Sequence, residues 1–244
     1  MHLSMKYYLF GLILLTVFSG SNCKSFANEA NNVVLAEIKN PRLSYVLPSP
    51  KTEGNKSVEE ALAKRRSRRR FQNRELSAEQ LSQVLWAAYG ITEPVPNRDG
   101  LRATPSAGAL YPLVIYAAIG NVAGIEVGVY KYVPKEHKII KTIDKDVREE
   151  LSAAALGQDA VRDAPVTVIF CAVFSRITER YGERGSERYV FIELGHSAQN
   201  IYLQAETLEL GACAIGAFTD SRVSEILSLP AEEKPLYLMP VGHM

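Results

Sequence analysis

Tyr189–Phe218 reads YVFIELGHSAQNIYLQAETLELGACAIGAF. Phe191, Leu194, Ala198, Ile201, Ala205 and Leu208 recur at spacings of three and four, which predicts one buried stripe on a long helix. Val190, Ile192, Gly195 and Tyr202 fall off that stripe, so the helix is apolar on more than one side. Such a helix belongs inside a domain or between two subunits. Gly211 is placed to cap its C-terminus in a left-handed conformation. Ala212–Ala217 is small and apolar throughout and reads as a short buried strand or crossing segment, with Gly216 and Ala217 leaving the backbone open to a flat ligand.

Working outward, Val166–Phe174 is apolar throughout, the pattern of a central strand covered on both faces. Leu113–Ile119 is a second strand, and Val127–Val133 with Lys138–Ile143 forms a hairpin turned at Pro134-Lys135-Glu136. Ser57-Val-Glu-Glu60 and Ser77-Ala-Glu-Gln80 are capping-box signatures. They predict helices from Val58 to Arg65 and across Leu81, Val84, Leu85 and Ala88, the second closed by Gly90. Further helices are expected from Asp144 to Leu156 and over Asp220–Leu227, loops over 91–104 and 177–188, and a last strand over Leu236–Val241. The hairpin excludes a purely parallel sheet, so the fold class is α+β, with a mixed or antiparallel sheet flanked by helices.

The chain has 244 residues, with 28 basic and 27 acidic side chains, and this near-balance gives no global field aimed at nucleic acid. Residues 1–27 read as a secretory signal: Lys6, then apolar Tyr7–Phe18, then small residues at Ser25 and Ala27. Export to the periplasm or the exterior follows, with an uncleaved anchor or lipidation at Cys23 as alternatives. Residues 28–56 read as an extended arm and 57–244 as the globular domain. Cys171 and Cys213 lie in apolar runs and read as buried, inert thiols. No cysteine or histidine spacing suits a metal. His196 reads as a packed structural histidine rather than a base.

Two further stretches carry chemistry. Lys64-Arg-Arg-Ser-Arg-Arg-Arg-Phe71 gathers five arginines and a lysine around one serine. Guanidinium forks and a hydroxyl suit phosphate oxygens. Taken alone, the stretch reads most simply as a solvated basic patch, and a nucleic-acid patch is a third reading that lacks interleaved aromatics. Thr104-Pro-Ser-Ala-Gly-Ala-Leu-Tyr-Pro112 sets small residues between two prolines, a low-profile loop whose backbone can touch a ligand.

In this order and spacing, RRSRRRF, PSAGALYP, ELGHSAQNIYLQA and GACAIGAF resemble the nitroreductase-like flavoprotein superfamily, and within it the azoline dehydrogenases of peptide-modifying clusters. The resemblance covers Val58 to His243. It implies FMN, an intertwined homodimer with the long helix as the main contact, and hydride transfer through flavin N5 in a ping-pong cycle. NAD(P)H is the implied donor and a nitroaromatic or quinone the implied acceptor. Carried over by position, Arg65, Ser67 and Arg69 hold the phosphate and Arg66 lies near the ribityl chain. Pro105, Ser106, Ala107 and Gly108 line the isoalloxazine, and Ile215, Gly216 and Ala217 face its other side, with a backbone N–H at N5. Two positions depart from the pattern. Arg188-Tyr189 replaces the Lys-Tyr pair of azoline dehydrogenases, which removes a general base and leaves Tyr189 as a proton donor or a packing residue. His243-Met244 follows Val241-Gly242 where relatives place a phosphate-binding basic residue, a task that would pass to Arg66, Arg68 or Arg70. The rivals are dehydrogenation of a peptide-derived or other organic substrate, and an exported flavin-binding or flavin-free homologue without turnover.

Overall fold

The computed structural model describes residues 43–96 and 99–244. The signal-like segment 1–27 and the arm as far as Arg42 lie outside the described residues. Seven strands form one sheet in the order β1-β6-β5-β4-β7-β9-β8, and every pair is antiparallel. They are β1 (Ser44–Val46), β4 (Leu113–Ile119), β5 (Gly128–Val133), β6 (Lys138–Ile143), β7 (Val166–Val173), β8 (Leu210–Ala212) and β9 (Glu233–His243). β2 (Ile91–Glu93) and β3 (Leu101–Arg102) make a separate small hairpin.

Helices cover both faces, which explains why β4 and β7 are apolar without alternation. Leu113, Ile115, Ala117 and Ile119 of β4 and Val166, Val168, Phe170 and Ala172 of β7 face one core. That core is closed by α2 (Ala78–Tyr89) and α6 (Val190–Thr207). Val114, Tyr116, Ala118, Ile169, Cys171 and Val173 face the other, closed by α3 (Arg148–Ala154), α4 (Asp159–Asp163) and α7 (Asp220–Ile226). Each strand therefore buries both of its side-chain rows. The α+β expectation and the central place of Val166–Phe174 hold.

Ser57 caps α1 (Val58–Lys64) and Ser77 caps α2, the latter with the full reciprocal box to Gln80. Gly90 closes α2 in an extended rather than a left-handed conformation. Several expected boundaries are corrected. Asp144 caps nothing: α3 starts after Val147, and Asp144 instead accepts from Lys141. Residues 91–104 contain the β2–β3 hairpin, and 177–188 contain most of α5 (Ser175–Tyr181) and the start of a π-turn at Gly185–Tyr189. Thr207 ends α6, Glu209 takes the left-handed turn, and Gly211 lies inside β8. A Cβ on Gly211 would lie 2.7 Å from Arg68 Cβ, so this glycine permits a close chain crossing rather than a cap. Of the two readings of Ala212–Ala217 the crossing segment fits: only Ala212 belongs to β8, and one bridge joins Ile215 to Leu238.

The stripe of α6 keeps its expected register at Leu194, Ala198, Ile201 and Ala205, and departs from it at Phe191. Val190, Glu193, Leu194, Ser197, Ala198, Ile201 and Ala205 are buried, whereas Phe191 and Ile192 are about half exposed. Two polar residues, Glu193 and Ser197, thus hold stripe positions that an apolar count passes over.

Candidate functional site

The arginine stretch leaves α1 at Arg65 and runs beside β8. Ser67 bridges Ala212 in parallel, and the Arg68 N–H donates to the Ala212 carbonyl at 2.9 Å. Tyr202, on α6, ties this crossing together. Its hydroxyl lies 3.1 Å from Ser67 Oγ and accepts the Ala214 N–H at 2.8 Å, while the Arg65 guanidinium sits 5.2 Å from its ring centre. Arg66 turns back to the Ala63 and Arg65 carbonyls. Among the described residues, Arg65, Arg66, Arg68, Arg69 and Arg70 form no ion pair, and neither do the scattered Arg74, Arg176, Arg180, Arg184 and Arg188; the stretch differs in setting five such charges side by side. Arg66, Ser67, Arg68, Arg69 and Arg70 are exposed, and Arg65 is half-buried. This is positive charge that the fold places and leaves uncompensated.

Beyond Ala214, Ile215 is buried and exchanges both backbone hydrogen bonds with Leu238. Gly216 and Ala217 are exposed, and among the described residues their N–H groups have no partner. The Gly216 Cα rests on the Tyr237 ring, where an added Cβ would come within 3.3 Å. The stretch thus ends in two outward donors on a rigid support.

The Thr104–Pro112 loop is pinned elsewhere. Thr104 is buried and donates to the Ala88 carbonyl at 2.8 Å, and Asn200 of α6 donates to Ala103 and Thr104 at 3.2 Å each. Ser106 Oγ accepts the Tyr111 N–H at 2.9 Å. Gly108, Ala109 and Tyr111 all have positive φ, which only glycine adopts without strain. Pro105 and Gly108 are exposed, with Ser106 and Ala107 half-buried between them. A cavity of about 440 Å³ opens beside Gly108, Ala109 and Tyr111, with Asp99, Leu101 and Arg180 opposite. Tyr189 stands near this loop through its edge-on contact with Tyr181, whose hydroxyl approaches Gly108. Arg188 is exposed.

Residue types alone did not reveal a buried polar cluster behind the loop. The Arg102 guanidinium lies between two rings, 4.2 Å from Tyr89 and 4.4 Å from Tyr111. The Tyr89 hydroxyl donates to Glu193 Oε1 and accepts the Leu113 N–H at 3.1 Å. Burial pushes the Glu193 carboxyl above its usual range, against the pull of the Ser106 and Tyr89 hydroxyls and the Arg102 charge. Burial likewise pushes the Tyr89 phenol well up. The available signal was Glu193 and Ser197 on the α6 stripe, two polar residues four apart where apolar ones belong. His196 is corrected: it is exposed and has no hydrogen bond among the described residues. Cys171 and Cys213 are buried free thiols, and burial raises both.

The structure therefore joins the arginine stretch to Ala212–Ala217 and fixes the Pro105–Gly108 loop at a different face of the same helix. Comparison with known proteins bears on the family of the chain. Residues 62–243 match the model of the Nitroreductase family. A protein described as a nitroreductase from Methanocaldococcus jannaschii is 46% identical over 185 residues, 76% of this chain and 90% of that protein. The NADPH-dependent FMN reductase of Bacillus subtilis is 32% identical over 120 residues, 44% of this chain and 48% of its own length. The crystal structure of a protein described as a nitroreductase from Ralstonia eutropha superposes with a TM-score of 0.70 at 28% identity, covering 84% of this chain and 93% of that one. The chain belongs to the nitroreductase family.

Proposed function

We propose that this protein is an FMN-dependent oxidoreductase that takes electrons from NAD(P)H and passes them to a small organic acceptor. The observation that carries the reading is the uncompensated arginine stretch held by Tyr202 beside the open Gly216–Ala217 backbone. A flavin mononucleotide presents what these groups lack, a dianionic phosphate at one end and hydrogen-bond acceptors on a flat ring at the other. The Bacillus subtilis relative, an NADPH-dependent FMN reductase, supports the choice of cofactor and donor.

In this reading Arg65, Ser67 and Arg69 hold the phosphate and Arg66 the ribityl chain. Pro105, Ser106, Ala107 and Gly108 cover one face of the ring, and Ile215, Gly216 and Ala217 the other. Ile215 has spent its N–H on Leu238, so the donor at the ring edge falls to Gly216 or Ala217. Bound FMN supplies hydride transfer at N5, in alternate reaction with donor and acceptor. Tyr189 serves as the proton donor in this reading, which its half-burial beside Tyr181 supports. The azoline-dehydrogenase reading is weaker, since Arg188 is exposed and stays protonated, so it offers no base.

A homodimer completes the site. Asn200 holds the loop and Tyr202 holds the arginine stretch, yet residues two apart on a helix point about 200° from each other. One protomer would therefore present the two groups on opposite sides of α6. A second copy would bring the loop of one to the phosphate-binding half of the other, and the half-exposed Phe191 and Ile192 offer the contact. Export directed by residues 1–27 belongs to the same proposal, and the mature N-terminus, read by mass spectrometry, tests it.

Purified protein mixed with FMN and then freed of excess should keep a flavin absorption spectrum. NADPH or NADH added without oxygen should bleach it, and a nitroaromatic or quinone should restore it. Retained flavin that neither nucleotide bleaches would remove the NAD(P)H-driven reading, and no retained flavin would favour the non-catalytic rival.

A further inference from the structure

The cavity of about 440 Å³ beside the Thr104–Pro112 loop has walls of two kinds. Val95, Leu101 and Leu110 are apolar, and the volume suits one ring-sized organic molecule. Arg180, near the C-terminus of α5, supplies charge. A Cβ on Gly108 would lie 3.1 Å from its Nη1, so the guanidinium rests against the bare Gly108 backbone. Arg176, one turn earlier on α5, spends a donor on the Tyr111 carbonyl at 3.3 Å. Arg180 does not. It touches the Tyr181 ring, 5.4 Å from the centre, and among the described residues it has no hydrogen bond and no ion pair.

A second cation stands behind the wall. Arg102 stacks between Tyr89 and Tyr111, its side chain is 9% exposed, and its Nε is buried without a partner among the described residues. Asp99 is the one carboxylate among the described residues that line the cavity, and it lies 4.0 Å from Arg102. That single negative charge is set against two guanidiniums, so the cavity favours an anion. We propose that the cavity takes a small organic acceptor that carries a carboxylate, and that Arg180 is the specificity-determining residue that binds this group. A guanidinium presents its N–H groups in pairs, which matches the two oxygens of a carboxylate. The word acceptor rests on the flavin reading above, in which the same loop covers one face of the ring and a molecule held here lies beside it. The anion site itself needs only the cavity and Arg180.

The test compares 4-nitrobenzoate with the neutral 4-nitrobenzamide as acceptors for the FMN-loaded protein, by the rate of NADPH or NADH consumption. The native protein should prefer the carboxylate about tenfold in kcat/KM, the equivalent of one charge-assisted hydrogen bond, with the difference carried by KM. Arg180→Gln should bring that ratio near one, and Arg180→Lys, which keeps the charge without the fork, should retain part of it. A native ratio near one, or an unchanged ratio in Arg180→Gln, would overturn the proposal. So would an Arg180→Gln variant that keeps the ratio and loses a preference for NADPH over NADH, since Arg180 would then serve the nucleotide phosphate. If neither nucleotide drives turnover, the flavin reading falls and the anion site is decided by calorimetric titration of the same proteins with 4-nitrobenzoate. Binding that weakens about tenfold in Arg180→Gln is expected, and equal binding in both proteins, or none in the native protein, would sink the inference.

Discussion

The Tyr202 hydroxyl and Ser67 Oγ lie 3.1 Å apart, and the same hydroxyl accepts the Ala214 N–H. One phenol thus sets the distance between the arginine stretch and the segment carrying Gly216 and Ala217. Tyr202→Phe removes both bonds and leaves the ring in place under Arg65. The variant should lose about 1 kcal/mol of stability, a drop of roughly 2–4 °C in Tm, and should bind FMN about tenfold more weakly. Thermal melts and a flavin titration check the two effects separately.

Arg65→Ala, Ser67→Ala and Arg69→Ala should each lower FMN affinity by about 1.5–3 kcal/mol, the loss expected for one charge-assisted hydrogen bond. Neither arginine forms an ion pair among the described residues, so the flavin-free melts of their variants should stay near native, while Ser67→Ala, which loses the bond to Tyr202, should melt no lower than Tyr202→Phe. Unchanged titrations in all three would refute the phosphate assignment.

Gly211→Ala tests the chain crossing. Its new methyl meets Arg68 Cβ at 2.7 Å, too close for either chain to stay where it is. Displacing the arginine stretch should weaken FMN binding by more than any single arginine substitution, with a lower Tm even without flavin. A native Tm would show that β8 yields without cost.

His137 makes stability depend on pH. Its ring meets Ser82 Oγ at 2.7 Å, the Tyr132 hydroxyl at 2.9 Å and the Pro48 carbonyl at 3.1 Å, and burial lowers its pKa below the ordinary 6.5. The folded state then binds fewer protons than the unfolded state, so stability rises with pH through this window. Stability present at neutral pH should fall as pH drops below about 6.5 and be lost once His137 charges in the folded state. His243 is lowered in the same sense and adds to the slope. Urea unfolding of His137→Gln between pH 7.5 and 5 should show a shallower dependence than the native protein.

The layout of the core was legible because burial on both faces writes itself as unbroken apolar runs, as in Val166–Val173. The arginine stretch stood out as a cluster of charge around Ser67, but taken alone it reads as a solvated basic patch, and its phosphate role comes from the resemblance. What stayed hidden depends on contacts between distant elements. The Arg102 stack needs Tyr89 from α2 and Tyr111 from the loop, and no local pattern announces it. The cap expected at Gly211 failed for a related reason: glycine serves a left-handed turn and a close crossing equally well, and only the Arg68 approach shows which. The 177–188 stretch looked too charged for structure, yet Ile177 anchors α5 through one fully buried side chain.

β9 follows every other strand of the sheet in sequence but lies inside it, hydrogen-bonded to β7 on one side and β8 on the other. On the ribosome, the partly made protein therefore holds Val166–Val173 with one edge open until residues 233–243 have emerged. That strand is apolar on both faces, the kind of edge that recruits other chains. Closing this edge is thus a late event in folding, and a nascent chain stalled before Glu233 should depend on holding chaperones more than one in which β9 has emerged.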